Sequence, residues 1–151
     1  MTIDDIDRKI LHELQHDAAL GVEELGRRVG LSRNACWRRV RALDDAGVIR
    51  GRVALVDPDA VGMGLMVVIQ IRAARHDPAW LDEFATAMRE MPEILGAARM
   101  TGDLDYLIRA RIADMHDYDR LYQRLIRRLD VADVSASFVM EEIKDTTALP
   151  V

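Results

Sequence analysis

Residues 12 to 16 of this 151-residue chain read His-Glu-Leu-Gln-His, a spacing that could do hydrolytic chemistry. Two imidazoles four residues apart on one helix face can hold zinc while the glutamate between them acts as general base. A zinc-dependent hydrolase is therefore the first reading to weigh. The helical wheel opposes it: with the apolar side set by Ile10 and Leu14, His12 and His16 fall on the far side. A catalytic zinc also needs a third protein ligand, and neither His76 nor His116 stands at a spacing that suggests one. Two solvent-facing histidines near a helix C-terminus, where positive charge is favourable, account for the motif. No metal, cofactor or catalytic residue is expected.

Three other places carry chemistry. In Thr101-Gly102-Asp103-Leu104-Asp105-Tyr106 two carboxylates stand two apart, which suits an ammonium group or a metal, yet Gly-Asp is also ordinary turn chemistry. Gly62-Met63-Gly64 lacks a third glycine and opens no helix, so it reads as linker rather than a dinucleotide motif. The single cysteine, Cys36, can form no internal disulfide, which points to a reducing compartment, and its place on an apolar stripe makes it a small core residue. That stripe, Cys36, Val40 and Leu43, leaves Arg33, Asn34, Trp37, Arg38 and Arg41 on the outer face of the same helix. Arg and Asn have the bidentate geometry for guanine and adenine edges, and an exposed Trp beside them is costly unless something covers it.

The charge distribution supports that outer face. The whole chain is acidic, with 21 basic and 26 acidic side chains, which by itself argues against a nucleic-acid partner. Between Gly26 and Arg52, however, eight arginines meet only two acids, Asp44 and Asp45, a local charge of +6 that leaves −11 on the remainder. The composition, 50% hydrophobic and 31% charged, is that of a globular chain of one or two small domains. No apolar run is long enough for a membrane span and the N-terminus is acidic where a signal peptide would be basic, so the cytoplasm is expected.

The elements that must position these residues follow from periodicity. Ile6, Ile10, Leu11 and Leu14 mark a first helix capped by Asp4. Val22, Leu25 and Val29 mark a second that ends at Gly30, and Ser32 caps the third. Three short helices with so tight a turn between the second and third make a helix-turn-helix. Val48 to Val56, with Gly51 at its turn, reads as a β-hairpin wing. Beyond Asp57-Pro58 the period changes. A strand over 65–71 is followed by a helix from Asp77-Pro78 with Leu81, Phe84, Ala85, Met88 and Met91 inward. Strands over 94–100 and 104–112 join in a tight hairpin, a helix follows Asp114, and a last strand spans 134–143. The order βαββαβ is ferredoxin-like, an antiparallel sheet with both helices on one face. Its other face, carrying Met66, Val68 and Leu107, is expected to pair with a second copy as a homodimer.

The motifs Leu31-Ser32, Arg39-Val40, Leu43 and Gly47-Val48-Ile49, followed by Gly102-Asp103-x-Asp105-Tyr106 and Met140-Glu141-Glu142, resemble the Lrp/AsnC (feast/famine) family of transcriptional regulators. The resemblance covers nearly the whole chain. Cys36-Trp37-Arg38-Arg39, Gly51 to Pro58, Glu90 to Gly96 and Thr146 to Pro150 are most similar to its cysteine-responsive, DecR-like branch. The resemblance implies an α+β chain: a winged helix-turn-helix DNA-binding domain over 1–57 and a ferredoxin-like RAM domain over 58–151 that binds an effector and assembles dimers into octamers. It implies double-stranded DNA as partner, and the outer face of the third helix with the arginines after it supplies the expected contacts to a pseudo-palindromic operator: Ser32, Arg33, Asn34, Trp37, Arg38, Arg41, Arg50 and Arg52. It also implies a small amino-acid effector, L-cysteine first among candidates, at Thr101, Gly102, Asp103, Leu104, Asp105, Tyr106, Ser135 and Ser137. A ferredoxin-like small-molecule module without a DNA role is the remaining alternative. Leu129-Asp130-Val131 runs one residue shorter than the Pro-Gly turn of many relatives, and Arg33-Asn34 stands where relatives carry small residues or proline.

Overall fold

Asp4 starts the first helix, α1 (Asp5–His16), through a reciprocal cap. Its carboxylate accepts the Asp7 N–H at 2.8 Å, and the Asp7 carboxylate accepts the Asp4 N–H at 3.2 Å. α2 (Val22–Val29) begins after Gly21 and stops at Gly30, whose φ of 74° is the left-handed conformation that favours glycine. Ser32 Oγ then accepts the Ala35 N–H at 3.3 Å and caps α3 (Arg33–Asp45). The computed structural model describes residues 2–151, and these helices form the first of two units, which runs to Leu55 and also takes in Ile143–Val151.

The core of this unit is Ile10, Leu25, Val29, Cys36 and Leu43, with Val40, Leu14 and Ile49 packed around it. Gly26 permits the tight crossing of α2 and the following turn: a Cβ there would lie 2.9 Å from the Leu31 carbonyl oxygen and 3.4 Å from Cys36 Cβ. The tail docks on α1 through Gln15, whose Nε2 donates to the Leu149 carbonyl at 3.1 Å and whose Oε1 accepts the Leu149 N–H at 2.7 Å. The expected boundary at 57/58 placed these last residues with the second domain.

The expected wing does not form. Residues 50–57 carry no strand, and Val53, Leu55 and Val56 are exposed. The Val48 and Ile49 N–H groups both donate to the Leu43 carbonyl, closing the end of α3, so the first arm of the hairpin has spent its donors.

The second unit, Val56–Glu142, contains β1 (Leu65–Ala73), α4 (Pro78–Glu90), β2 (Ile94–Arg99), β3 (Tyr106–Ile112), α5 (Met115–Arg128) and β4 (Val131–Phe138). Its sheet is antiparallel throughout, in the order β2-β3-β1-β4, the ferredoxin-like arrangement. Alternation sends Val67, Ile69 and Ile71 of β1 and Tyr106, Ile108, Ala110 and Ile112 of β3 into one core with α4 and α5. The opposite face carries Met66, Val68, Gln70, Leu107, Arg109 and Arg111.

Three expectations shift. In α4 the buried residues are Trp80, Phe84 and Ala87, while Leu81 is exposed. Trp80 sets this phase, because its Nε1–H donates to the Asp130 carbonyl at 2.7 Å and its ring stacks on Phe84. The loop between β2 and β3 spans residues 100–105, closed by the Met100 N–H on the Asp105 carbonyl at 2.8 Å, and is wider than a tight hairpin. β4 begins at Val131, paired with Ala73 past a bulge, and ends at Phe138 opposite Val67, with one further bond from the Val139 N–H to the Met66 carbonyl at 2.9 Å.

Candidate functional site

The outward face of α3 carries the expected residues. Ser32, Arg33, Asn34, Trp37, Arg38 and Arg41 are all exposed, as are Arg50 and Arg52 in the segment after the helix. Trp37 is 51% exposed, with the Arg41 guanidinium 5.5 Å from its ring centroid. Cys36, on the opposite side, is fully buried, and burial pushes its thiol up from the ordinary range.

Ion pairs sort the arginines of this stretch. Arg27 and Arg28 both hold Glu24, at 2.7 and 2.9 Å, and bring that half-buried residue's carboxyl down to about 2. Arg28 also reaches Glu13 of α1 at 2.9 Å. Arg39 spans from α3 to Asp4 at 2.7 Å and to the buried Asp7 at 2.8 Å. The Asp7 N–H, and then Arg39, hold the Asp4 carboxyl below its usual value. Arg52 faces Asp44 at 3.3 Å and Arg41 faces Asp45 at 3.7 Å. Among the described residues Arg33, Arg38 and Arg50 have no such partner.

The His12-Glu13-x-x-His16 motif is arranged differently from a metal site. Both histidines face outward, His16 Nδ1 lies 2.7 Å from the His12 carbonyl oxygen, and Glu13 is engaged by Arg28. Among the described residues no group of three or more His, Cys, Asp or Glu side chains is placed to hold a metal ion. None of the described helices is long and apolar enough to cross a membrane.

In the second unit the 100–105 loop bounds a cavity of about 170 Å³ lined by Gln70, Met100, Thr101, Asp103, Leu104, Tyr106 and Leu107. Four of the expected effector residues, Thr101, Asp103, Leu104 and Tyr106, are thus together. Gly102, at φ 113°, makes the turn that brings Thr101 and Asp103 to the same side. Asp105 has other partners: its Oδ2 accepts the Ala73 N–H at 2.8 Å, and Oδ1 lies 3.3 Å from His76 Nε2. The loop is further tied to β1 by Arg72 Nε donating to the Asp103 carbonyl at 3.2 Å, and by the Asp105 N–H on the Ile71 carbonyl at 3.0 Å. Ser135 and Ser137 are exposed on the open face of β4, opposite Gln70 and Val68, and line no part of the cavity.

Two family models cover most of the chain: the AsnC-type helix-turn-helix domain over residues 3–44 and the Lrp/AsnC ligand binding domain over residues 66–149. The chain belongs to the Lrp/AsnC family. A glutamate uptake regulatory protein from Zymomonas mobilis is 49% identical to it over 148 residues, covering 98% of this chain and 90% of the relative. The DNA-binding transcriptional activator DecR of Escherichia coli K12 is 44% identical over 150 residues, 99% of each chain. A Neisseria meningitidis transcriptional regulator solved as an L-Met complex superposes with a TM-score of 0.93 at 38% identity, covering 99% of this chain and 97% of its own. The similarity to DecR is real, and the glutamate uptake regulator stands beside it at higher identity.

In this Lrp/AsnC chain the loop lies where its sequence suggested, but Gln70, Met100 and Leu107 also form cavity walls, Leu107 having been expected only at the subunit contact. Gln70 had a signal: it is the one polar residue inside the apolar run Leu65 to Ile71, on the open face. Met100 had none, since its role comes from the closure of the loop by its own N–H.

Proposed function

We propose that this chain is a sequence-specific DNA-binding transcriptional regulator whose binding or assembly responds to a small amino acid, and that it is not an enzyme. The observation that carries the reading is the outer face of α3, where unpaired arginines flank an exposed Trp37 on a helix held rigidly from behind by Arg39 and Gly26. In this reading Arg33, Asn34, Trp37 and Arg38 meet base edges in the major groove, and Ser32, Arg41, Arg50 and Arg52 meet phosphates. Two copies, joined through the open sheet face, present this helix twice to a pseudo-palindromic operator. Dimers assemble further to octamers, and the protein works in the cytoplasm.

The effector occupies the cavity under the 100–105 loop, with Asp103, the one acid in its lining, for an α-ammonium group and Met100, Leu104 and Leu107 around the side chain. Asp105 acts by fixing the loop to β1, and Ser135 and Ser137 come into reach of an effector held between subunits. L-cysteine, L-methionine and L-glutamate are the first candidates. Calorimetric titration of the chain with each amino acid, together with salt-dependent binding to duplex DNA, tests the reading. Binding of an amino acid that is lost in Asp103→Ala and that shifts DNA affinity is expected; absence of DNA binding at low salt rejects it.

A further inference from the structure

The acids of the cationic stretch are few and their placement is selective. Asp44 and Asp45 are the last two residues of α3 and the only carboxylates between Gly26 and Arg52. Each faces one of the arginines assigned to phosphates, Arg52 at 3.3 Å and Arg41 at 3.7 Å. Arg33 and Arg38, assigned to base edges, face none, and neither does Arg50, the third arginine assigned to phosphates. The other pairs of this stretch tie helices together or brace α2, as Arg39 does with Asp4 and Asp7, whereas the Arg41–Asp45 pair lies within one helix with both side chains exposed. Exposed pairs of that kind add next to nothing to stability.

We propose that Asp44 and Asp45 serve as built-in counter-ions for Arg52 and Arg41, lowering affinity for DNA of any sequence and flattening its salt dependence while leaving the base-reading arginines free. The proposal rests on the reading of α3 as the DNA-facing helix. An arginine that leaves a carboxylate for a phosphate exchanges one charge pair for another. The carboxylate left behind sits close to the phosphate and collects a cation of its own. The contact then releases little of the counter-ion atmosphere of the duplex, and that release supplies essentially all of non-specific binding. Specific and non-specific complexes share these phosphate contacts, so both affinities fall together while the ratio, set by the base contacts, is preserved.

The test uses the full chain, a pool of short random-sequence duplexes, and a duplex enriched from that pool by the unaltered protein. Asp44→Asn and Asp45→Asn are each expected to tighten binding to the random pool and to the enriched duplex by similar factors. Each is also expected to steepen the slope of log affinity against log salt by about 0.9, the value of one more neutralised phosphate. In an Arg52→Gln background, Asp44→Asn should add neither effect, whereas a general change in net charge would act in both backgrounds. An unchanged slope, or an equal gain in the Arg52→Gln background, overturns the proposal while the DNA-binding reading stands. No salt-dependent binding by the unaltered chain overturns both.

Discussion

Arg38 and Arg39 are chemically identical neighbours set 100° apart on α3, and that rotation gives them opposite tasks. Arg38 is exposed and unpaired among the described residues; Arg39 bonds Asp4 and the 3% exposed Asp7. Arg38→Ala is expected to relax base preference at one operator position by about 1–3 kcal/mol and leave the melting temperature unchanged. Arg39→Ala should do the reverse, removing a partner from a buried carboxylate at a cost of about 2 kcal/mol in denaturant unfolding. Equal effects of the two variants on either measurement would show the division to be wrong. Cys36 completes the inward side: its thiol, raised by burial, should react with an alkylating reagent only when the chain is unfolded.

Between elements, Gly26 and Glu24 govern how α2 meets its surroundings. Gly26→Ala places a methyl group 2.9 Å from the Leu31 carbonyl, a contact that backbone must relieve, so a loss of roughly 1–3 kcal/mol is expected on thermal unfolding. Glu24, at about 2 when folded against an ordinary 4.5, binds its proton more readily in the unfolded chain. Its contribution is therefore complete above about pH 4.5 and lost as pH falls towards 2, and Glu24→Gln should flatten the acid limb of a stability profile in that window. Helices were legible in the sequence because caps and apolar stripes are local: Asp4, Ser32, Gly30, Asp77 and Asp114 all act where their types suggest. The ferredoxin-like order was legible for the same reason. What periodicity could not show was competition for a group already in use. Val48 and Ile49 look like a strand, yet their N–H groups belong to Leu43; Leu81 looks inward, yet the bond from Trp80 to Asp130 turns α4 away from it. Asp105 reads as a ligand by type, and only the end of β1, folded beside it, shows that Ala73 takes its carboxylate first.

Over the whole molecule, the +6 of residues 26–52 resolves into arginines spent on internal pairs and arginines left outward, so the effective cationic surface is smaller and more sharply placed than the count implies. The half-buried Val68 at the centre of the open sheet face belongs to the proposed subunit contact. Val68→Asp should convert the assembly to monomers in sedimentation without unfolding them; an unchanged assembly would move the subunit contact to another face. The two tryptophans are divided between the two units. Trp37 stands in solvent on α3, while Trp80 is 1% exposed against Tyr106, one wall of the cavity. An indole in water emits further to the red than one in an apolar interior. A single unlabelled sample thus carries two intrinsic fluorophores of different colour, the first expected to report the proposed DNA contact and the second, through Tyr106, the proposed occupancy of the cavity. Trp37→Phe and Trp80→Phe would let each binding event be followed optically in the presence of the other.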